Sequence, residues 1–201
     1  MVYLNPHKYQ TIIITASGLL SEYQLGRREF ALVDLTKTSL AEVNLAGVKL
    51  LCSNLAEVNL SHTILRAADL SDVNLSGATL WRTQLQESNL VRAQCDGTCF
   101  IRANLNRANL SESYLGNAEM RLACLSHADL RSADLSKVNL SYADLSSANL
   151  AGANLQGAIL TGAKLSNTNL VGTNLVGAIL SGVDLSQAVL ATDRTIQTIA
   201  V

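Results

Sequence analysis

The side chains of this chain best suited to chemistry are those of three histidines and four cysteines, which could bind a metal or form disulfides. They are His7, His62, His127, Cys52, Cys95, Cys99 and Cys124. Zinc sites group their ligands at short, recurring spacings, and a disulfide framework has more cysteines at regular spacing. The histidines are isolated, and no glycine-rich phosphate loop or strand–serine–helix turn is present. We therefore predict no catalytic residue, no metal site and no cofactor.

A second group of candidate residues is charged and aromatic. Between Arg66 and Arg131 there are seven arginines and seven acidic residues. Two of the arginines lie next to large apolar side chains, and Arg and Trp are enriched where proteins bind one another. The candidate interaction surface is Trp81, Arg82, Ile101 and Arg102. The alternative is a solvated surface whose charges neutralise one another, and the sequence leaves both open.

A repeat of five residues must position these side chains. Every fifth residue from Phe30 to Leu190 is large and apolar; of these 33 positions 29 are Leu. The residue two before each of these centres is Ala, Val, Thr or Ser at all 32 positions from Val33 to Ala188. A period of five fits neither an α-helix nor a long strand. We read it as three residues alternating in, out and in, followed by a two-residue corner rich in Ser, Gly, Asn and Lys.

Such a chain turns the same way every five residues and must wind into a coil. Units such as Ala143-Asp144-Leu145-Ser146-Ser147 and Ala153-Asn154-Leu155-Gln156-Gly157 make the sequence resemble the pentapeptide-repeat family. The resemblance implies an all-β fold, a right-handed quadrilateral parallel β-helix (the Rfr fold) with four pentapeptides per coil. The 33 units then give about eight coils, and residues twenty apart should stack. The simple single-domain form is similar to those found in cyanobacteria.

The four departures from Leu indicate how the interior is packed. Phe100 would overfill a layer made for leucines, and Cys95, one face earlier in the same coil, would return some of that volume. Met120, one coil above Phe100, is flexible enough to fit against it. We interpret Cys95 as a packing residue, and we place Phe30 and Leu105 in the same core.

The ends of such a coil need caps. Residues 17–26 read as a short helix, with Ser17 as its N-cap and Gly26 as its stop. Leu19, Leu20, Tyr23 and Gly26 also match the way many family members lead into the first coil. We predict an N-terminal extension at 1–16 that adds a strand or stays loose, a capping helix at 17–26, a β-helix at 27–191, and a C-terminal tail or cap at 192–201. That tail contains Ile196, Ile199 and Val201.

The last coils differ from the rest in charge. From Ser141 to Ala191 the only charged residues are Asp144, Lys164 and Asp184. Ile159 and Ile179 point outward in the predicted register and should stack. A smooth, low-charge surface favours a homodimer or a docking face at the C-terminal coils. The alternative is a set of recently duplicated repeats that have not diverged.

Composition limits the location and the partners. Lys and Arg total 15 against 16 Asp and Glu, which offers no global attraction to nucleic acid or to an anionic membrane. No apolar run reaches the length of a bilayer span. Few, irregular cysteines favour a reducing compartment, so we expect a cytoplasmic protein, with the periplasm or the thylakoid lumen left open.

We therefore expect a non-enzymatic protein-interaction or scaffold module that offers rigid faces to an unidentified protein partner. The alternative comes from the resemblance: some family members mimic duplex DNA and bind DNA gyrase, which confers fluoroquinolone resistance. Mimicry requires a strongly acidic rod, because basic grooves recognise phosphate charge. Residues 27–191 carry 13 basic and 14 acidic side chains, so their near-zero net charge disfavours that alternative.

Overall fold

The computed structural model describes residues 12–190, so His7 and the predicted tail at 192–201 lie outside the described residues. Its named elements are β1 (Ile12–Ile13), α1 (Ala16–Gln24) and β2 (Val33–Asp34). β1 pairs in parallel with β2, with Ile12 opposite Val33 and Ile13 opposite Asp34. The end of the N-terminal extension therefore adds a short strand to the first repeats.

From Glu29 onward the chain is joined by single parallel bridges between residues twenty apart. One such row runs from Gln84 to Asn104 and then to Cys124. Each bridge comes from the middle residue of a three-residue segment, because the turns on both sides leave room for one bridged residue. The bridges form four rows, so that one coil contains four pentapeptides.

Backbone hydrogen bonds join consecutive coils at the segments and at the corners alike. At a segment, the amide of Leu105 donates to the carbonyl of Cys124 at 2.7 Å. At a corner, the amide of Arg102 donates to the carbonyl of Arg121 at 3.0 Å. Buried peptide groups are costly when unpaired, and this ladder pairs them without any long strand.

The corners are β-turns whose third residue has a positive φ. In one of them the amide of Thr38 donates to the carbonyl of Leu35 at 3.1 Å. The residue at the turn's third position, Lys37, has φ 58°. Every corner from residue 32 to residue 182 shares this conformation, which for an L-residue costs roughly 1–2 kcal/mol. In the C-terminal coils glycine often fills the position, where it avoids that cost.

Where the outward residue of a repeat is Asp or Asn, its side chain helps to form the next corner. The Asn74 side-chain oxygen accepts from the amide of Ser76 at 3.0 Å. Its Nδ2 donates to Asn54 of the preceding coil at 3.2 Å. Asp34 forms the same turn with Thr36, and the hydrogen bonds from the Thr36 hydroxyl and amide hold the pKa of Asp34 below its ordinary value. These polar positions therefore have a structural role.

The predicted in–out–in alternation is confirmed by burial. Phe30, Cys95, Phe100, Leu105 and Met120 are all fully buried. The small inward position also holds hydroxyl residues, and these find partners on the backbone. The Thr83 hydroxyl donates to the carbonyl of Leu60 in the preceding coil at 2.7 Å, and the Ser88 hydroxyl donates to Leu85 at 2.7 Å. Buried hydroxyls are tolerated here because they are hydrogen-bonded.

Helix α1 lies against the first coil. The predicted N-cap, Ser17, is wrong: the cap is Thr15, whose Oγ1 accepts from the amide of Gly18 at 3.1 Å. Thr15 ends the apolar run Ile12–Ile14, which is why the sequence pattern favoured Ser17. Leu19 is fully buried and Leu20 partly so. The Tyr23 hydroxyl donates to the carbonyl of Ala46 at 2.8 Å.

The chain leaves α1 through Gly26, whose φ of 98° suits glycine. The guanidinium of Arg28 then covers the Tyr23 ring at 3.8 Å from its centroid. It also donates to the carbonyl of Tyr23 at 2.8 Å. These contacts fix the end of the helix against the start of the repeat.

Candidate interaction surface

Trp81 and Arg82 form one corner of a coil, and the same corner of the next coil holds Ile101 and Arg102. The amide of Arg82 donates to the carbonyl of Ile101 at 3.1 Å, so the two predicted pairs are stacked neighbours. The guanidinium of Arg82 lies 4.9 Å from the centroid of the Trp81 ring. The structure thus brings these four residues together at one corner.

Trp81 also contacts His62, which lies in the preceding coil. Its ring meets that of His62 edge-on, with centroids 4.7 Å apart and planes at 88°. The amide of His62 donates to the carbonyl of Trp81 at 2.9 Å. Even so, 37% of Trp81 remains exposed. An indole held in one position loses little conformational freedom when a partner covers it.

The corner continues into the following coils with two exposed apolar residues that our sequence reasoning did not identify. Leu122 is 48% exposed and Tyr142 is 63% exposed. They lie twenty and forty residues after Arg102, so adding multiples of twenty to a known corner residue would have found them. We call this column the Trp81 edge. Its residues are His62, Trp81, Arg82, Ile101, Arg102, Arg121, Leu122 and Tyr142.

The charges of the Trp81 edge are only partly compensated within residues 12–190. Arg121 Nε lies 3.1 Å from the Glu119 carboxylate, and both side chains remain about half exposed. Exposed pairs of this kind contribute about 0–1 kcal/mol. Arg82 stacks on Trp81, and no carboxylate of the described part of the chain lies within salt-bridge distance of Arg82 or Arg102. The edge therefore combines exposed apolar surface with available positive charge.

The two isoleucines of the C-terminal coils are bridged neighbours on one face. Ile159 pairs with Ile179, which is 47% exposed. Val176 lies at the corner directly before the segment of Ile179 and so flanks the same face. Val189 lies in another row of bridges, and Val171 lies at the corner one pentapeptide earlier, so the predicted smooth surface extends over more than one side of the coil.

The cysteines are spread through the repeat. Burial raises the pKa of the Cys95 thiol well above its ordinary range, as suits a packing residue. Cys99 and Cys124 are half-buried and occupy different rows of bridges. No group of three metal-ligating side chains that could hold an ion occurs between residues 12 and 190. No helix in that range has the length and apolar character needed to cross a bilayer.

Coils of twenty residues, with a leucine interior and side chains projecting from every corner, define a repeat protein whose variable groups lie outside. The family model for pentapeptide repeats matches in eight copies, with overlapping segments that run from residue 29 to residue 191. The chain belongs to the pentapeptide-repeat family.

Solved structures of the family resemble this chain over most of its length. HetL, a protein involved in heterocyst differentiation regulation in Nostoc sp. PCC 7120, is 30% identical; the match covers 92% of this chain and 99% of HetL, with a TM-score of 0.38. Rfr23 of the cyanobacterium Cyanothece 51142 is 26% identical over 85% of this chain and 96% of its own, at a TM-score of 0.20. No curated protein sequence matches this chain.

QnrB1, a plasmid-mediated fluoroquinolone resistance protein, is more distant. It is 18% identical over 79% of this chain and 91% of its own, with a TM-score of 0.48.

Proposed function

We propose that this chain is a right-handed, four-sided β-helix that acts as a non-enzymatic protein-interaction module, with the Trp81 edge as its main contact. The observation that carries the proposal is the line of exposed Trp81, Leu122 and Tyr142 beside arginines on a rigid corner. Trp, Tyr and Arg dominate the energetics of protein interfaces. A corner whose backbone is hydrogen-bonded to both neighbouring coils is already ordered, which lowers the entropic cost of binding.

The non-enzymatic part of the proposal rests on what the described interior and surface contain. Inward positions are filled with leucine and small residues, and the inward hydroxyls such as Thr83 and Ser88 are bonded to backbone carbonyls. Many of the outward Asp and Asn side chains are engaged in corners. An active site needs several polar groups converging in a concave pocket. We propose a cytoplasmic location, because its free, partly buried thiols suit a reducing compartment.

A second copy of the chain is a further partner that we propose, through the C-terminal coils. The bridged pair Ile159–Ile179 supports it, with the exposed Val176 at the corner directly before Ile179. A chain that sediments as a monomer at high concentration would remove this proposal.

The gyrase alternative has no comparable support, because residues 27–191 have 13 basic and 14 acidic side chains.

The experiment that tests the interaction role is site-specific cross-linking in the native cell. A photo-reactive phenylalanine analogue replaces Trp81 in one variant and Tyr114 in a matched control. Tyr114 is 52% exposed and lies in a different row of bridges, two pentapeptides away from the row that follows Trp81. We expect discrete protein adducts from position 81 and none from position 114. Equal adducts from both positions, or none from position 81, would contradict the proposal.

A further inference from the structure

The overall charge of the chain is near zero, but its charged side chains are sorted around the coil. The segments 61–67, 81–87, 101–107 and 121–127 form one side of four successive coils, which we call the arginine face. It carries five arginines and one acid, Glu87, for a net charge of +4. The arginines are Arg66, Arg82, Arg102, Arg107 and Arg121.

The side of the coil across from it has the opposite sign. The segments 51–57, 71–77, 91–97 and 111–117 are each two pentapeptides away in a coil of four, and we call them the acidic face. They carry four acids and one arginine, Arg92, for a net charge of −3. Charges at a protein surface are screened within about 8 Å at physiological salt, so a partner on one face senses that face and not the sum.

The positive charge of the arginine face is largely unneutralised. All five arginines are exposed. Among residues 12–190, only Arg121 of the five lies within salt-bridge distance of a carboxylate. Arg66 instead donates to the Gln84 amide oxygen at 2.6 Å, and Arg82 stacks on Trp81. By contrast, Asp72 and Glu57 of the acidic face pair with Arg92 and Lys37 at 2.7 and 3.5 Å.

The layout of the arginine face fits an extended segment. The outward residues along its centre are uncharged: Ile64, Gln84, Asn104 and Cys124. Arg66 and Arg107 lie along one margin of that row, and Arg82 and Arg102 lie along the other. Four coils at about 4.8 Å per step span roughly 14 Å between the first and last rows, which matches about four residues of an extended chain. The apolar side chains of the Trp81 edge border the same face.

We infer that the arginine face binds an acidic protein segment that also carries apolar side chains. This inference rests on the proposed interaction role and names the class of partner. Arginine forms paired hydrogen bonds with carboxylates, and Trp81 and Leu122 supply contacts for apolar residues between those carboxylates. Nucleic acid fits less well, because its affinity depends on many phosphate contacts and this face offers five cations within a few coils.

The test is fluorescence anisotropy with the purified full chain and a labelled peptide that repeats Glu-Leu-Glu-Ser three times. A peptide with Lys in place of every Glu, a single-stranded oligothymidine and a DNA duplex are the comparison probes. The test variant combines Arg66→Gln, Arg102→Gln and Arg107→Gln. A matched control combines Lys37→Gln, Arg131→Gln and Lys137→Gln. It removes the same number of positive charges, but from positions outside the arginine face. Thermal melting checks that both variants stay folded.

We expect the wild type to bind the acidic peptide in preference to the other probes, with an affinity that falls as salt rises. The arginine-face variant should lose at least about tenfold in affinity, and the control should stay within about twofold. No binding of the acidic peptide, an equal loss in both variants, or tighter binding of either nucleic acid would overturn the inference. Adducts at position 81 without peptide binding would leave the interaction role standing and remove only the acidic class of partner.

Discussion

At the scale of single residues, each position of the pentapeptide has one structural task, and the exceptions show how tightly the interior is filled. The inward centre is leucine except at Phe30, Cys95, Phe100 and Met120. Phe100 and Met120 are neighbours in one row, because the adjacent residues Cys99 and Glu119 are bridged. Cys95 precedes Phe100 by one pentapeptide and is fully buried. A smaller side chain beside a larger one conserves the volume of the layer.

Replacement of Cys95 by Leu therefore tests this compensation. We expect Cys95→Leu to lower the free energy of unfolding by about 1–3 kcal/mol in the wild type, because it overfills the layer. In a Phe100→Leu background the same change should cost much less. Urea denaturation of the four chains gives the coupling energy, and Cys99→Leu in the outward position is the control. An equal cost in both backgrounds would show that the two sites do not share space.

Much at this scale was predictable, because the repeat states which positions face inward. Leu105 and Cys95 could be placed in the core from their numbers alone. The hydroxyl of Thr83 could not be assigned a partner in this way, since its acceptor is the carbonyl of Leu60, 23 residues earlier. The wrong N-cap has a different cause: the bond between Thr15 and the Gly18 amide is local, but Thr15 directly follows an apolar run that we assigned to the N-terminal extension.

At the scale of elements, the corner defines the coil more than the short segments do. A corner residue such as Arg102 or Glu112 adopts a positive φ that L-residues normally avoid. The conformation is imposed by hydrogen bonds to the next coil, as at Arg102 and Arg121. The sequence favoured turns at these positions through its Ser, Gly and Asn content. It gave no sign that arginine and glutamate would share the glycine-like conformation, because that depends on the neighbouring coils.

Two corner glycines give a matched pair for testing this view. A Cβ at Gly162 would lie 2.7 Å from ring carbons of Tyr142, whereas at Gly172 its nearest neighbour would be 3.8 Å away. Gly172→Ala should cost about 1–2 kcal/mol from backbone strain alone. Gly162→Ala should cost more, and Tyr142→Ala should remove the excess. Thermal melts of these chains measure both effects. Equal costs at the two glycines would contradict the close packing of Tyr142 at this corner.

At the scale of the whole molecule, the net charge of the chain is close to zero, but opposite sides of the coil carry charge of opposite sign. The total of 15 basic and 16 acidic residues conceals an arginine face and an acidic face. These two faces could have been predicted from the sequence. The resemblance implied that residues twenty apart stack, and grouping the charged residues by that period gives both faces. The two pairs Trp81–Arg82 and Ile101–Arg102 were found by that step, and Leu122 and Tyr142 belong to the same column. The repeat does not predict the identity of a partner, because its pattern leaves the outward residues free to vary.

The division between a buried inner layer and an outer layer open to partners is the claim on which the rest depends. Leu105 and Asn104 are adjacent in sequence, and Leu105 is fully buried while Asn104 faces outward in a row of bridges. The decisive measurement is the unfolding free energy of Leu105→Asp and Asn104→Asp, which introduce the same side chain one residue apart. Leu105→Asp should prevent folding or cost several kcal/mol, because a buried carboxylate has neither water nor a partner. Asn104→Asp should change stability by less than about 1 kcal/mol. Two variants of similar stability would contradict the account.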